Sequence, residues 1–296
     1  MISDRGITRL REAAAWPELD ARYEITNVAG HGGMGTVYVA RDHVLDREVA
    51  VKVLDLADRR GSRAARLARE AHILARLDHP GIVPIHDAGT LPDGRAYYVM
   101  KLVRGRRLDD VIAEGRPLAE RLDTFARVLD AVAFAHAHGI VHRDLKPENV
   151  MIGAFGEVFV MDWGVAHEGS GDVEPVVVGT PGFMPPEQER AGDAVDPRAD
   201  IFALGSLLQH LAGDDAPAPL KAIAAKARQT EVSARYQHVE ALAADVARFR
   251  NQDRVDAYRE SPLERAVRFY RRYELPILLL LAYIVMRFVL MVWRGI

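Results

Sequence analysis

The sequence predicts an α+β chain of two lobes, β-rich first and helical second, followed by one membrane-spanning helix. Three observations carry this expectation. From Tyr23 to Met100 the pattern is mostly the period-two alternation of strands. After Lys101 the apolar residues fall at helical spacing. Leu275 to Trp293 is then a run of 19 residues with one charge, about the length that crosses a hydrocarbon core of roughly 30 Å. A strand-rich segment followed by a helix-rich one argues for segregated layers, not alternating βαβ units.

In chain order, residues 1–22 read as an N-terminal arm or short helix rich in Arg, Glu and Ala. The first lobe, 23–100, contains the strand patterns YEITNVAG, GTVYVARD, REVAVKVL, GIVPIHDAG and RAYYVM, with one helical segment around 62–77. The second lobe, 104–250, holds helices expected at 118–137, 198–211, 220–228 and 239–249. SPLERAVRFYRRYE (261–274), within a basic segment 251–274, reads as an amphipathic helix beside the membrane. The span is 275–293, and 294–296 would form a short outer tail.

Composition narrows the classes. The 296 residues carry a formal net charge of −3 and no long basic run, so nucleic acid is not an expected partner. There is no cysteine, which excludes disulfides and thiolate chemistry. MISDRGITRL lacks an apolar h-region, so no signal peptide is expected. Pro276 suits the first turn of the spanning helix, where a missing N–H does no harm. Arg265, Arg268, Arg271 and Arg272 precede the span and only Arg294 follows it, which puts the body on the cytoplasmic side. Arg287 is the costly residue, at roughly 2.5–3.5 kcal/mol near a helix centre. Its off-centre position lets it snorkel. A buried soluble helix or an interfacial one is the competing reading.

Four stretches carry candidate chemistry. GHGGMGTVYVA (30–40) offers glycines that let backbone N–H groups approach a phosphate, although a plain glycine-rich hairpin would look the same. TVYVA alternates as a strand, so a dinucleotide fold, which needs a helix there, fails. AVKVL sets Lys52 in an apolar strand, where an inward ammonium needs a counter-charge. Glu70 shares a helical stripe with Leu67, Leu74 and Leu77 and answers that need, unless it pairs with Arg66 or Arg69 instead. GIVHRDLKPENVMI (139–152) presses six polar side chains between two apolar segments. Asp162 ends the hydrophobic strand EVFVM before Gly164, and with Asn149 it could hold a hard cation through oxygen.

In order along the chain, GHGGMGTV, AVK, Glu70, HRDLKPEN, DWG, GTPGFMPPE, DPRADIFALG and ARYQ resemble the signature set of the eukaryotic-type Ser/Thr protein kinases, in a bacterial member. The resemblance covers about 23–250 and implies the bilobal protein-kinase fold. It implies ATP and Mg²⁺, with Mn²⁺ as the alternative ion, and transfer of the γ-phosphoryl group to Ser/Thr hydroxyls of protein substrates. Asp144 would accept or orient the hydroxyl proton and Lys146 would stabilise the transferring group. Asn149 and Asp162 would hold the metal. Gly30, His31, Gly32, Gly33, Met34, Gly35 and Val37 would cover the nucleotide, with Ala50, Lys52, Glu70, Met100 and Met151 lining its site. Lys52 would contact the α- and β-phosphates while paired with Glu70. Leu74, Ile85, His142 and Trp163 resemble the family's internal hydrophobic spine. Glu187 should pair with Arg235, and Asp200 should hold the catalytic-loop backbone.

The chain also departs from the family pattern. Trp163 and Pro185 stand where Phe and Ala are usual. Between Asp162 and Glu187 the only side-chain hydroxyls are Ser170 and Thr180. Arg143, the usual receiver of an activating phosphate, is therefore expected to be served by a fixed charge from Asp172 or Glu174. AGDDAPAP, eight residues after Leu211, is too short for the family's usual loop and docking helix. A pseudokinase scaffold and a small-molecule phosphotransferase are the rival functions. The expected location is the inner face of the cell inner or plasma membrane, with room for a homodimer.

Overall fold

A computed structural model describes residues 16–32, 35–53, 71, 74–163, 167–168, 180–189 and 196–293. The first lobe is a five-stranded antiparallel sheet of order β1-β2-β3-β5-β4. Its strands are β1 (Tyr23–Gly32), β2 (Gly35–Asp42), β3 (Arg47–Val53), β4 (Ile85–Thr90) and β5 (Ala96–Lys101). Alternation along β3 sends Val49, Val51 and Val53 to the outer cluster with Tyr23, Tyr38 and Val99. Ala50 joins the opposite cluster with Met100, Val83 and Phe159, toward the second lobe. Lys52, two residues on, shares that face.

Two readings shift here. The strand expected from Gly81 begins only at Ile85, because Pro84 has no N–H to give a ladder. Of the N-terminal arm, residues 16–22 are seated on the sheet: Trp16 and Leu19 pack on the outer cluster, and Arg22 forks onto buried Asp42 at 2.8 and 2.9 Å. Residues 1–15 lie outside the described residues.

The second lobe is helical, as expected: α1 (Leu108–Ala113), α2 (Leu118–Ala137), α3 (Pro186–Glu189), α4 (Arg198–Ala212), α5 (Ala218–Ala227) and α6 (Val239–Arg250). On α2 the buried residues Leu122, Phe125, Leu129, Val132 and Ala135 follow the helical period. α4 is buried on nearly all sides, and Gly205 lets α5 approach, since a Cβ there would sit 2.7 Å from the Ala227 Cβ. Short strands frame the polar loop: β6 (Gly105–Arg107), β7 (Ile140–Val141), β8 (Val150–Gly153), β9 (Val158–Val160) and β10 (His167–Glu168). β7 pairs with β10, and β8 lies between β6 and β9. The lobes join where Ile82 bridges Val160.

The lobe continues past the expected limit of 250. Buried Asp245 accepts from Tyr236 Oη at 2.8 Å, Arg248 NH1 at 2.8 Å, and the backbone N–H groups of Asp256 at 2.9 Å and Ala257 at 3.1 Å. Val255 is buried in the main core. Two further helices follow, α7 (Pro262–Arg272) and α8 (Glu274–Trp293). α8 contains 20 residues, about 30 Å, and none is buried against the rest of the chain.

The Asp245 network yields a stability test. Asp245→Ala should cost at least the roughly 1–3 kcal/mol of one orphaned buried donor. Burial would raise this carboxyl, but its four donors hold it below the ordinary range. Its contribution is therefore complete above the unfolded carboxylate range, about pH 4, and fades as pH falls through the folded value. Urea unfolding of wild type and Asp245→Asn should show a stability gap at pH 7 that narrows in acid.

Candidate active site

The loop 142–149 is held at both ends by buried strand residues, Val141 before it and Val150 after it. Its first two residues are held by α4. The carboxylate of Asp200, fully buried, accepts the backbone N–H of His142 at 2.7 Å and of Arg143 at 2.8 Å, and His136 Nε2–H at 2.8 Å. Burial pushes the Asp200 carboxyl up, but these donors bring it below the ordinary carboxylate range. Arg143 is left-handed, with φ 70°, a conformation that costs a non-glycine residue energy. Its carbonyl is fixed by Gln188 Nε2 at 2.7 Å, so the strained residue is gripped on both sides.

His142 has both ring nitrogens occupied. Nε2–H donates to the Met161 carbonyl at 2.9 Å, and Nδ1 accepts the Asp144 N–H at 3.2 Å. The ring lies 4.6 Å from that of Trp163. It packs and orients, and has no nitrogen left for acid–base work. Leu74 and Trp163 lie in the same core cluster, with Ile85 packed against it.

The chemistry converges on Asp144. Oδ1 accepts the Thr180 hydroxyl at 3.1 Å, and Oδ2 meets Lys146 Nζ at 2.9 Å and Asn149 Nδ2 at 3.1 Å. Lys146 also donates to Thr180 Oγ1 at 2.8 Å. Asn149 Nδ2 donates again to the Asp144 carbonyl at 2.8 Å, which turns its Oδ1 the other way. One residue beyond Met161, Asp162 takes Lys52 Nζ at 2.8 Å, with its own φ at 60°. Desolvation in the cleft would raise the Asp162 carboxyl, but the charge and hydrogen bond of Lys52, aided by Lys146, hold it below the ordinary range. Lys52 is itself buried and lies 5.7 Å from the centre of the Tyr98 ring. The ammonium of β3 and the carboxylate after β9, 110 positions apart in sequence, thus meet where the lobes join.

The remaining predicted residues surround this centre. Gly30 pairs with Val37, His31 with Thr36 and Gly32 with Gly35 across the β1–β2 hairpin. His31 Nδ1 lies 3.0 Å from Thr36 Oγ1. A Cβ built on Gly30 would meet nothing within 4 Å, so this rim faces open space. Ala50 and Met100 are paired across β3 and β5, and Met151 sits on β8 opposite Phe159. Arg235 is buried and forks onto Glu187 at 2.6 and 2.8 Å, with further bonds to the carbonyls of Gln229 and Arg198. Gly33, Met34, Glu70, Ser170, Asp172 and Glu174 lie outside the described residues. Arg143 Nε is buried without an acceptor among the described residues, and burial pulls the guanidinium below its ordinary range against the charge of Asp200.

Two functional residues escaped sequence reasoning. His136 ends a helix, where a basic residue is unremarked. Gln188 follows Glu187 and carries no charge to signal its bond to Arg143. The donor set fits a hard divalent cation: Asn149 Oδ1 and the second Asp162 oxygen have no hydrogen-bond partner among the described residues, and phosphate and water complete such a shell.

The protein kinase domain model matches residues 23–257. The chain is 39% identical over 234 residues to the serine/threonine-protein kinase PknB of Mycobacterium leprae, covering 75% of this chain and 36% of that protein. It is 40% identical over 200 residues to the serine/threonine-protein kinase PrkC of Bacillus subtilis, covering 65% of this chain and 30% of that one. It thus spans about a third of the length of the curated relatives it matches. The crystal structure of the Mycobacterium tuberculosis PknI kinase domain superposes with a TM-score of 0.63 at 27% identity, over 79% of this chain and 98% of that one.

Arg235→Ala should destabilise the domain by roughly 3–5 kcal/mol, since it leaves Glu187 and the carbonyls of Gln229, Arg198 and Thr230 without their donor. Arg235→Lys should recover only part, because an ammonium cannot fork. Chemical unfolding of both variants against wild type measures the difference.

Proposed function

Because the chain belongs to the protein kinase family, with residues 23–257 as its protein kinase domain, we propose that it transfers the γ-phosphoryl group of ATP to Ser/Thr hydroxyls of proteins at the inner face of a membrane. The observation that carries the reading is the meeting of the Lys52–Asp162 pair with the Asp144–Lys146–Thr180 network at the junction of the lobes.

In this reading Asp144 accepts the proton of the substrate hydroxyl as its oxygen bonds to the γ-phosphorus. The bond from that phosphorus to the bridging oxygen breaks and ADP leaves. Lys146 presents its ammonium to the γ-oxygens, and Thr180 keeps both side chains aligned. Such a transition state spreads charge over several oxygens, so fixed cations and positioning supply most of the catalysis. Lys52 and Asp162 neutralise each other until a nucleotide supplies partners for both: phosphate oxygens for Lys52, and an ion for Asp162 and Asn149. A bound Mg²⁺ supplies charge neutralisation of the phosphates there, and Mn²⁺ has the same oxygen preference. α8 is long and apolar enough to cross a bilayer, and the arginines before it set the domain on the cytoplasmic side.

Purified full-length protein should label a protein acceptor from γ-labelled ATP, with phosphosites on Ser and Thr. Asp144→Asn should cut kcat by about 10²–10⁴ while nucleotide binding persists. A wild-type chain that binds nucleotide yet labels nothing would sink the reading and leave a non-catalytic scaffold.

For Arg143 the proposal is the fixed charge of Asp172 or Glu174. Protein stripped of phosphate should retain activity, and Ser170→Ala should match wild type. Dependence on Ser170 phosphorylation overturns this.

A further inference from the structure

The segment between the catalytic lobe and α8 is built as a strut. Asp245 pins the backbone of Asp256 and Ala257 to α6. A capping box then starts α7: Ser261 accepts the Glu264 N–H at 3.2 Å, and Glu264 accepts the Ser261 N–H at 2.7 Å. Tyr258 Oη also donates to Glu264, at 2.8 Å. Arg268 forks onto Glu260 at 2.8 Å through both Nε and NH2, and Arg272 pairs with Asp253.

The two sides of α7 differ sharply. At about 100° per residue, Leu263, Ala266, Val267 and Tyr270 fall on one arc and Glu264, Arg265, Arg268 and Arg272 on the other. The charged arc is the one bonded to Glu260 and Asp253 of the lobe's last segment. The apolar arc is uncovered: Leu263 is 75% exposed, Tyr270 48% and Val267 44%. Only Tyr273 separates α7 from α8. Eleven residues span about 16 Å, so every point of the apolar arc lies within that reach of the spanning helix. Arg265 lies on the arc away from the apolar one and has no acidic partner among the described residues.

We infer that α7 lies in the headgroup layer of the membrane that α8 crosses. Its apolar arc faces the acyl chains, and its arginine-bonded side holds the catalytic lobe at a fixed height. This inference rests on the membrane-spanning reading of α8. The occupant is the bilayer surface because the uncovered face is continuous with the apolar α8 and flanked by arginine, the composition of an interfacial helix. A rigid strut restricts the cleft, so the protein hydroxyls it reaches are those near the bilayer surface.

The chain has no cysteine, so one introduced cysteine reports one position. Full-length Val267→Cys, Arg265→Cys and Ile284→Cys proteins would each carry a fluorophore. They would sit in nanodiscs of phosphatidylcholine and phosphatidylglycerol containing lipid spin-labelled near the top or the bottom of the acyl chain. The label at 267 should be quenched several-fold more by the shallow spin label than the label at 265. The label at 284 should be quenched by the deep one. Equal quenching at 267 and 265 with 284 still buried overturns the interfacial helix alone, whether water or a second copy covers the face. An unquenched label at 284 overturns the span and the inference with it, and leaves the ATP-dependent labelling assay as a separate test of catalysis.

Discussion

The site depends on one buried carboxylate. Asp200 is taken wholly out of water and kept charged by three N–H donors, two from the backbone of the loop it organises. Burying an ionised acid without such partners would be prohibitive. The requirement runs both ways, because the N–H groups of His142 and Arg143 are turned inward only if an anion waits there. The left-handed Arg143, the second of the two, is the strain this arrangement sustains, and Gln188 holds its carbonyl from the other side. α4, buried on nearly all sides, is a fitting mount because it is packed against its neighbours along most of its length.

With the backbone fixed, the polar side chains of 142–149 divide by role. His142 spends both nitrogens on the fold. Asn149 spends its amide hydrogens on Asp144 and keeps its oxygen. Asp144 and Lys146 bond to each other and to Thr180 through contacts in which at least one partner is charged. That division explains why six polar groups stand between two buried strands.

Much of this was legible. The alternation of β3 alone puts Lys52 on the face toward the second lobe, and the apolar spacing of 118–137 gives α2 its limits and its buried side. Motif resemblance supplied the pairings across long sequence distances, such as Glu187 with Arg235. What stayed hidden has physical reasons. β6 is three exposed residues, GRR, held as a strand by pairing with β8, and only Gly105 betrays it: a Cβ there would fall 2.0 Å from the Ile152 carbonyl oxygen. Asp245 reads as an ordinary surface acid of an amphipathic helix. Its four donors, two of them backbone groups beyond the expected domain limit, leave no mark on composition or periodicity.

The short connection after α4 shows what a core does and does not require. Only residues 213–217 join α4 to α5, turned by Gly213 at φ 75°. Ala216, Leu220 and Ile223 are nonetheless buried, and Gly205 lets the two helices close against each other. The core is therefore complete without a longer insertion, because its closure depends on side-chain volume at the α4–α5 contact and not on chain length. The surface is what changes. A cavity of about 370 Å³ opens beside Gly182 and Phe183, floored by Ser206 and Gln209 and edged by His210 and Arg228. The α4–α5 contact therefore holds α4, the mount of Asp200, independently of the length of the connection.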